Sequence, residues 1–205
     1  MAERHTARTR DGRDPHASER RTLRIGGIVL AAGRGARMGG PKTTLVLEGR
    51  TLLEHAIDSA LASRLEEVVV VLRPGDTIGR RDVEARGDAR LRAVMAPEAD
   101  RGQARSLAAG LDALGTGIDA AAILLADQPG ISPCLVDRMA QAAARSPRPA
   151  VRPVHVHGGA RVPGHPVVLA RRLFARARAL EGDEGARALW PVSYTHLRAH
   201  ETKAN

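Results

Sequence analysis

Two stretches of the chain carry groups whose types and spacing could do chemistry. The first is LAAGRGARMGGPK, Leu30 to Lys42, which follows the apolar run IGGIVL and sets Gly33, Gly35, Gly39 and Gly40 among Arg34, Arg37 and Lys42. Glycines admit backbone conformations with positive φ and let amide N–H groups approach a ligand with no Cβ in the way. Arg37 and Lys42 add full positive charge beside those amides, so the loop suits a polyphosphate. The second stretch, AAAILLADQPG, places Asp127 just past another apolar run. A carboxylate there could give one or two oxygens to Mg²⁺ while nucleotide phosphates and water complete the shell. Taken alone, Asp127 could equally be a turn residue bonded to nearby backbone.

Several function classes are set aside by what these stretches lack. A dinucleotide fingerprint running from Gly33 and Gly35 needs a third glycine where Met38 stands, and the second long apolar run ends in Arg73 rather than in an acid for a ribose. The phosphate-loop spacing from Gly35 to Gly40 is followed by Pro41 instead of lysine. The formal charge of +9 and pI near 11.2 suggest nucleic acid, but with one Phe, one Trp and one Tyr there is no stacking platform, and the arginines are interleaved with acids. No nucleic-acid partner is expected. No run reaches the roughly 18–20 apolar residues of a membrane span, and the first 22 residues hold no apolar signal region. A cytoplasmic protein without membrane contact is therefore expected. Cys134 is the single cysteine, which rules out an internal disulfide and a cysteine-based zinc site. His155 and His157 have ligand-like spacing but no third donor nearby in sequence.

The elements that must position these groups follow from periodicity. Continuous apolar runs at 24–30, 67–72, 91–96 and 120–126 have the pattern of strands covered on both faces of a parallel sheet. Helical periods at 51–63 and 106–115 alternate with them, and a further helix is expected at 132–145 with Ser132 as its cap and Pro133 at its first position. The expected fold is α/β, doubly wound, with a mostly parallel sheet and helices on both faces. Such sheets bind ligands beyond the carboxyl ends of their strands, where the glycine loop and Asp127 both fall. Residues 1–22 carry six Arg, four acids and almost no large apolar side chain, and are expected to be a disordered tail. The domain then spans 23–191, with 24 basic and 18 acidic residues. VSYTHLRAHET, Val192 to Thr202, shows neither strand nor helix period and resembles translated read-through of a sequencing adaptor. Residues 192–205 are accordingly expected to be a non-native tail that truncates the domain.

LAAGRGARMGGPK at 30–42, GQARSLAAGL at 102–111, LLADQPG at 124–130, VPGHPVVL at 162–169 and LEGDEGAR at 180–187 resemble, in order and spacing, the nucleotidyltransferases typified by molybdenum cofactor cytidylyltransferase. The resemblance implies transfer of CMP from CTP to the terminal phosphate of a molybdopterin-type substrate, with Mg²⁺ as cofactor. It implies Arg37, Lys42 and Asp127 as catalytic residues, Asp127 also holding the metal. It places the nucleotide against Leu30, Ala31, Ala32, Gly33, Gly35, Arg37, Lys42, Gly102, Gln103 and Ser106, with Ala32 pointing to CTP over GTP. His165 and Asp183 become candidates for the acceptor, although Asp183 could instead cap the helix through Arg187 to Trp190. A molybdenum hydroxylase or its chaperone is the implied partner. Family members continue past GDEGAR into a last strand and a D-x-D-T-P-like segment whose acid helps bind the metal; the adaptor-like tail stands there instead, so weak Mg²⁺ binding and slow turnover are expected. A sugar- or polyol-phosphate nucleotidyltransferase and a non-catalytic nucleotide or cofactor carrier are the alternatives.

Overall fold

The computed structural model describes residues 23–33, 44–183, 189 and the backbone of 196–198. The apolar runs form the strands expected of them. β1 (Ile25–Leu30) is buried at every position, and β4 (Glu67–Leu72) and β6 (Ala120–Leu125) at nearly every one. Residues buried on both faces can only sit mid-sheet. β1 accordingly pairs in parallel with β4 on one side, Leu30 level with Val71, and with β6 on the other, Leu30 level with Leu125. β5 (Leu91–Met95) extends the parallel ladder beyond β4.

Side chains on the two faces of this sheet feed two separate cores. Ile25, Val29, Val68, Val70 and Leu124 pack with α1 (Leu52–Leu61) and α4 (Pro133–Arg145), joined by Val83 of α2 (Thr77–Glu84). Ile28, Leu30, Val69, Val71 and Ile123 pack with α3 (Gln103–Ala113) and α5 (Phe174–Arg178). Helices thus cover both faces of one sheet. α4 begins as expected, with Ser132 accepting from the Leu135 N–H at 3.2 Å and Pro133 in its first turn.

Beyond β6 the chain departs from the simple parallel pattern. β7 (Ala150–His157), β8 (Ala160–Pro163) and β9 (Val167–Ala170) join antiparallel, and the eight-stranded sheet runs β10-β7-β9-β6-β1-β4-β5 with β8 on the outer part of β7. A hairpin that leaves β8 exposed has no continuous apolar run to announce it. β10 (His196–Arg198), three residues within the segment expected to be a non-native tail, lies parallel to β7. β2 (Val46–Leu47) and β3 (Arg50–Thr51) form a small separate ribbon ahead of α1. No helix among the described residues is long and apolar enough to cross a membrane.

Candidate functional site

The site is built at the carboxyl edge, where β1 and β6 end side by side. Ala31 donates its N–H to Val71 O at 2.9 Å, and Ala126 donates to Leu30 O at 3.2 Å, so the ladder continues one residue past the end of each strand. Ala31 and Ala32 are buried and Gly33 is exposed, which marks where the glycine loop leaves the sheet. Asp127 follows Ala126 in a turn that closes with the Gln128 N–H on Leu125 O at 3.1 Å. Neighbouring strands are about 4.8 Å apart. The start of the glycine loop and the half-buried Asp127, whose Oδ1 is enclosed, therefore leave the sheet side by side at one edge. Gly35, Arg37 and Lys42 lie outside the described residues.

His165 reaches the same edge from the other direction. β9 runs antiparallel to β6 with Val167 opposite Ile123, so the residues ahead of β9 sit at the carboxyl end of β6. The His165 Nδ1 lies 3.3 Å from Ile123 O. A carbonyl can only accept, so Nδ1 is the donor in this contact. The glycine of the GHP element has a packing reason: a Cβ on Gly164 would stand 2.5 Å from Nε2 of His155. His155 is thereby a wall of the GHP turn, and among the described residues no three His, Cys, Asp or Glu side chains are grouped as a metal cage.

The third candidate segment is the start of α3. Gly102 has φ +117 and ψ 169, and Gln103 opens the helix, three residues earlier than periodicity alone indicates. Ser106 is only 4% exposed and lies within the buried side of the helix. The described contact of Asp183 is with α3: its Oδ1 accepts from the Gln103 N–H at 3.2 Å. Residues 184–188, where a helix capped by Asp183 was expected to begin, lie outside the described residues.

One participant escapes sequence reasoning. Arg73, at the end of β4, donates from Nη1 to Ala32 O at 3.1 Å and pairs through Nη2 with Asp100, which sits on the 3₁₀ turn Ala99–Arg101 beyond β5. Its guanidinium ties the glycine loop's first residues to the segment leading into Gly102. Its local signal in the sequence is its place one residue past an apolar run.

With this geometry in place, relatives become informative. Residues 27–199 match the MobA-like NTP transferase domain. The chain belongs to that family. It is 34% identical over 168 residues to the purine catabolism protein PucB of Bacillus subtilis, covering 80% of this chain and 78% of that one. It is 36% identical over 194 residues to the 2-C-methyl-D-erythritol 4-phosphate cytidylyltransferase of Streptomyces avermitilis, covering 87% and 74%. In fold it is similar to Rv0371C of Mycobacterium tuberculosis, solved as a manganese complex, with a TM-score of 0.69 and 22% identity over 86% of this chain and 89% of that one. The MobA-like chain is a nucleotidyltransferase, with the mostly parallel sheet and nucleotidyltransferase-like topology its motifs implied.

Proposed function

We propose that this MobA-like enzyme transfers the CMP group of CTP to the terminal phosphate of a molybdopterin-type cofactor and releases pyrophosphate. The observation that carries the reading is the convergence of the glycine loop's first residues with Asp127 on adjacent strands at the carboxyl edge. An acceptor phosphate oxygen attacks the α-phosphorus of CTP in line; the bond from that phosphorus to the bridging oxygen of the β-phosphate breaks, and its electron pair leaves with pyrophosphate. The protein's share is positioning and charge stabilisation.

Gly33 and Gly35 would offer amides to the triphosphate, with Arg37 and Lys42 opposing its charge. Gly102, Gln103 and Ser106 would border the base, and His165 would meet the acceptor phosphate. Asp127 fits a divalent ion of the Mg²⁺ type, since such ions take one or two protein carboxylates and complete their shell with phosphates and water. Mg²⁺ held there would neutralise phosphate charge. The cytidylyltransferase relative supports CTP as donor. A molybdenum hydroxylase or its chaperone would receive the product in the cytoplasm.

That same relative favours a second reading, in which a polyol phosphate is the acceptor. Product analysis after incubation with each ribonucleoside triphosphate, Mg²⁺ and either molybdopterin or a panel of sugar and polyol phosphates separates the two. The expected result is a cytidylylated molybdopterin with stoichiometric pyrophosphate; turnover confined to a polyol phosphate selects the second reading, and no pyrophosphate with any pair removes both. Asp127→Ala is expected to lower turnover by a factor of at least about 10². A carrier would instead keep its affinity for cofactor in that variant.

A further inference from the structure

α3 is the one described helix of eight or more residues that starts without a cap of its own. α1 uses Thr51, α2 uses Asp76 and α4 uses Ser132, each accepting from a first-turn N–H. Gly102, at the corresponding place before α3, has no side chain to accept with. The first N–H groups of a helix have no intrahelical partner, and a missing cap leaves them to water or to a neighbour. Here Oδ1 of Asp183, eighty residues along the chain, takes the Gln103 N–H at 3.2 Å.

This contact is one end of a strap. A Cβ on Gly102 would lie 2.3 Å from the carbonyl carbon of Gly182, so the two backbones touch where both residues lack side chains. Arg105 reaches back to Leu180 O and, at 3.4 Å, to Arg178 O. Arg178 in turn pairs through Nε with Asp112 at 2.6 Å and donates to Leu111 O at 3.2 Å. Residues 178–183 are thus fastened along α3 from its last turn to its first.

We infer that Asp183 is a positioning residue: a cap supplied from the far end of the chain that holds Gly102 and Gln103 in the conformation the nucleotide meets. The inference rests on the reading that this segment borders the nucleotide. It assigns residues 180–183 to the donor side of the site, whereas the resemblance alone had put Asp183 with the acceptor. The carboxylate also sits where the positive end of the α3 dipole favours negative charge.

The test compares Asp183→Ala with Asp183→Asn in the full chain, by calorimetry with CTP, steady-state kinetics and amide hydrogen exchange at Gln103. Asparagine retains a carbonyl oxygen and caps nearly as well as aspartate. Asp183→Ala is expected to expose the Gln103 amide and weaken CTP binding about fivefold, the equivalent of one lost N-cap, with the acceptor KM unchanged. Asp183→Asn is expected to recover both protection and affinity to within about twofold. The inference is overturned if the alanine variant binds CTP as the wild type does. It is equally overturned if the asparagine variant is as impaired as alanine, or if the defect falls on the acceptor KM; either marks a charge that touches substrate. Should wild-type protein bind no ribonucleotide, the proposed function falls and the nucleotide role with it, while the exchange data still separate a remote cap from none.

Discussion

The N-termini of α1 and α3 solve one problem in opposite ways. At α1 everything is local: Thr51 Oγ1 accepts from the Glu54 N–H at 3.0 Å, and Glu54 Oε2 accepts from the Thr51 N–H at 2.8 Å. The same hydroxyl donates to the buried Asp82 at 3.0 Å, and Arg86 adds ion pairs to Glu54 and Asp58. Within the helix this cap closes a loop of three residues, so it needs no distant part of the chain to be in place. At α3 the cap exists only once residues 178–183 have docked. A helix end that serves the fold alone can be self-sufficient, whereas the one proposed to border the nucleotide has its shape tied to another segment. That dependence is what mutation can break.

The largest effect is expected from Gly102→Ala. A methyl group there would meet the Gly182 backbone at 2.3 Å, and φ +117 is strained for any residue with a Cβ. Strain of this kind costs about 1–3 kcal/mol before the clash is counted. The strap should lift, lowering CTP affinity more than tenfold by calorimetry, together with a fall in Tm. Wild-type affinity in this variant would dissolve the distinction between the two helices.

Gly110→Ala sharpens the comparison by damaging α3 away from its cap. Alanine ordinarily stabilises a helix interior by up to about 1 kcal/mol over glycine. Here the new Cβ would stand 2.6 Å from Cγ2 of Ile28 and 3.1 Å from Cγ2 of Val71, so overpacking reverses the sign. A net loss of about 1–2 kcal/mol is expected in urea unfolding. CTP affinity of the folded protein should stay within twofold, because the contact lies two turns from Gln103.

The same contrast decides what could be read from the sequence. The apolar runs predicted β1, β4 and β6 because strands buried on both faces need apolar side chains at nearly every position, and β5, an edge strand half-buried throughout, was still legible because only Arg92 interrupts its run. Ser132 and Pro133 were legible because a local cap writes its whole signal within four residues. Gly33 and Asp127 were legible too, each standing directly after an apolar run, and parallel order brings such ends together. α2 was missed because its buried face is thin, with Val83 the only large apolar side chain fully covered. Of β7 only the alternation of His155 and His157 along a strand face was legible, because Arg152, Pro153 and the exposed histidines interrupt its apolar residues, while β8 is exposed throughout and β9 is only four residues long. Arg73 and Asp183 act across strand neighbours and across eighty residues, and no window of sequence contains both ends of either contact. The residues were visible as types; their partners required the fold.

Thr51→Ala addresses the local side of the comparison and should cost about 1 kcal/mol, the usual value of an N-cap. Loss of the donor to Asp82, which is 5% exposed, pushes the cost toward the upper part of that range. CTP affinity should not change, and a drop of fivefold or more would show that α1 also shapes the site.

The smallest expected effect is a pH dependence confined to α1. The Thr51 backbone N–H holds the Glu54 carboxyl below its ordinary range, and Arg86 and then Arg50 add to that shift. A carboxylate whose folded pKa lies below its unfolded one stabilises the fold above the unfolded value, and the contribution is lost as pH falls through the folded value. Acidification through the folded value of Glu54 should therefore erode stability. Glu54→Gln keeps an oxygen for the Thr51 N–H but cannot titrate, so its urea midpoint should fall less steeply than the wild type's across the acid limb, by an amount smaller than the Thr51→Ala loss. Parallel acid limbs for the two proteins would mean that the capping box contributes through its neutral hydrogen bonds alone, leaving Asp88, held low by Arg90, as the next carboxylate to replace.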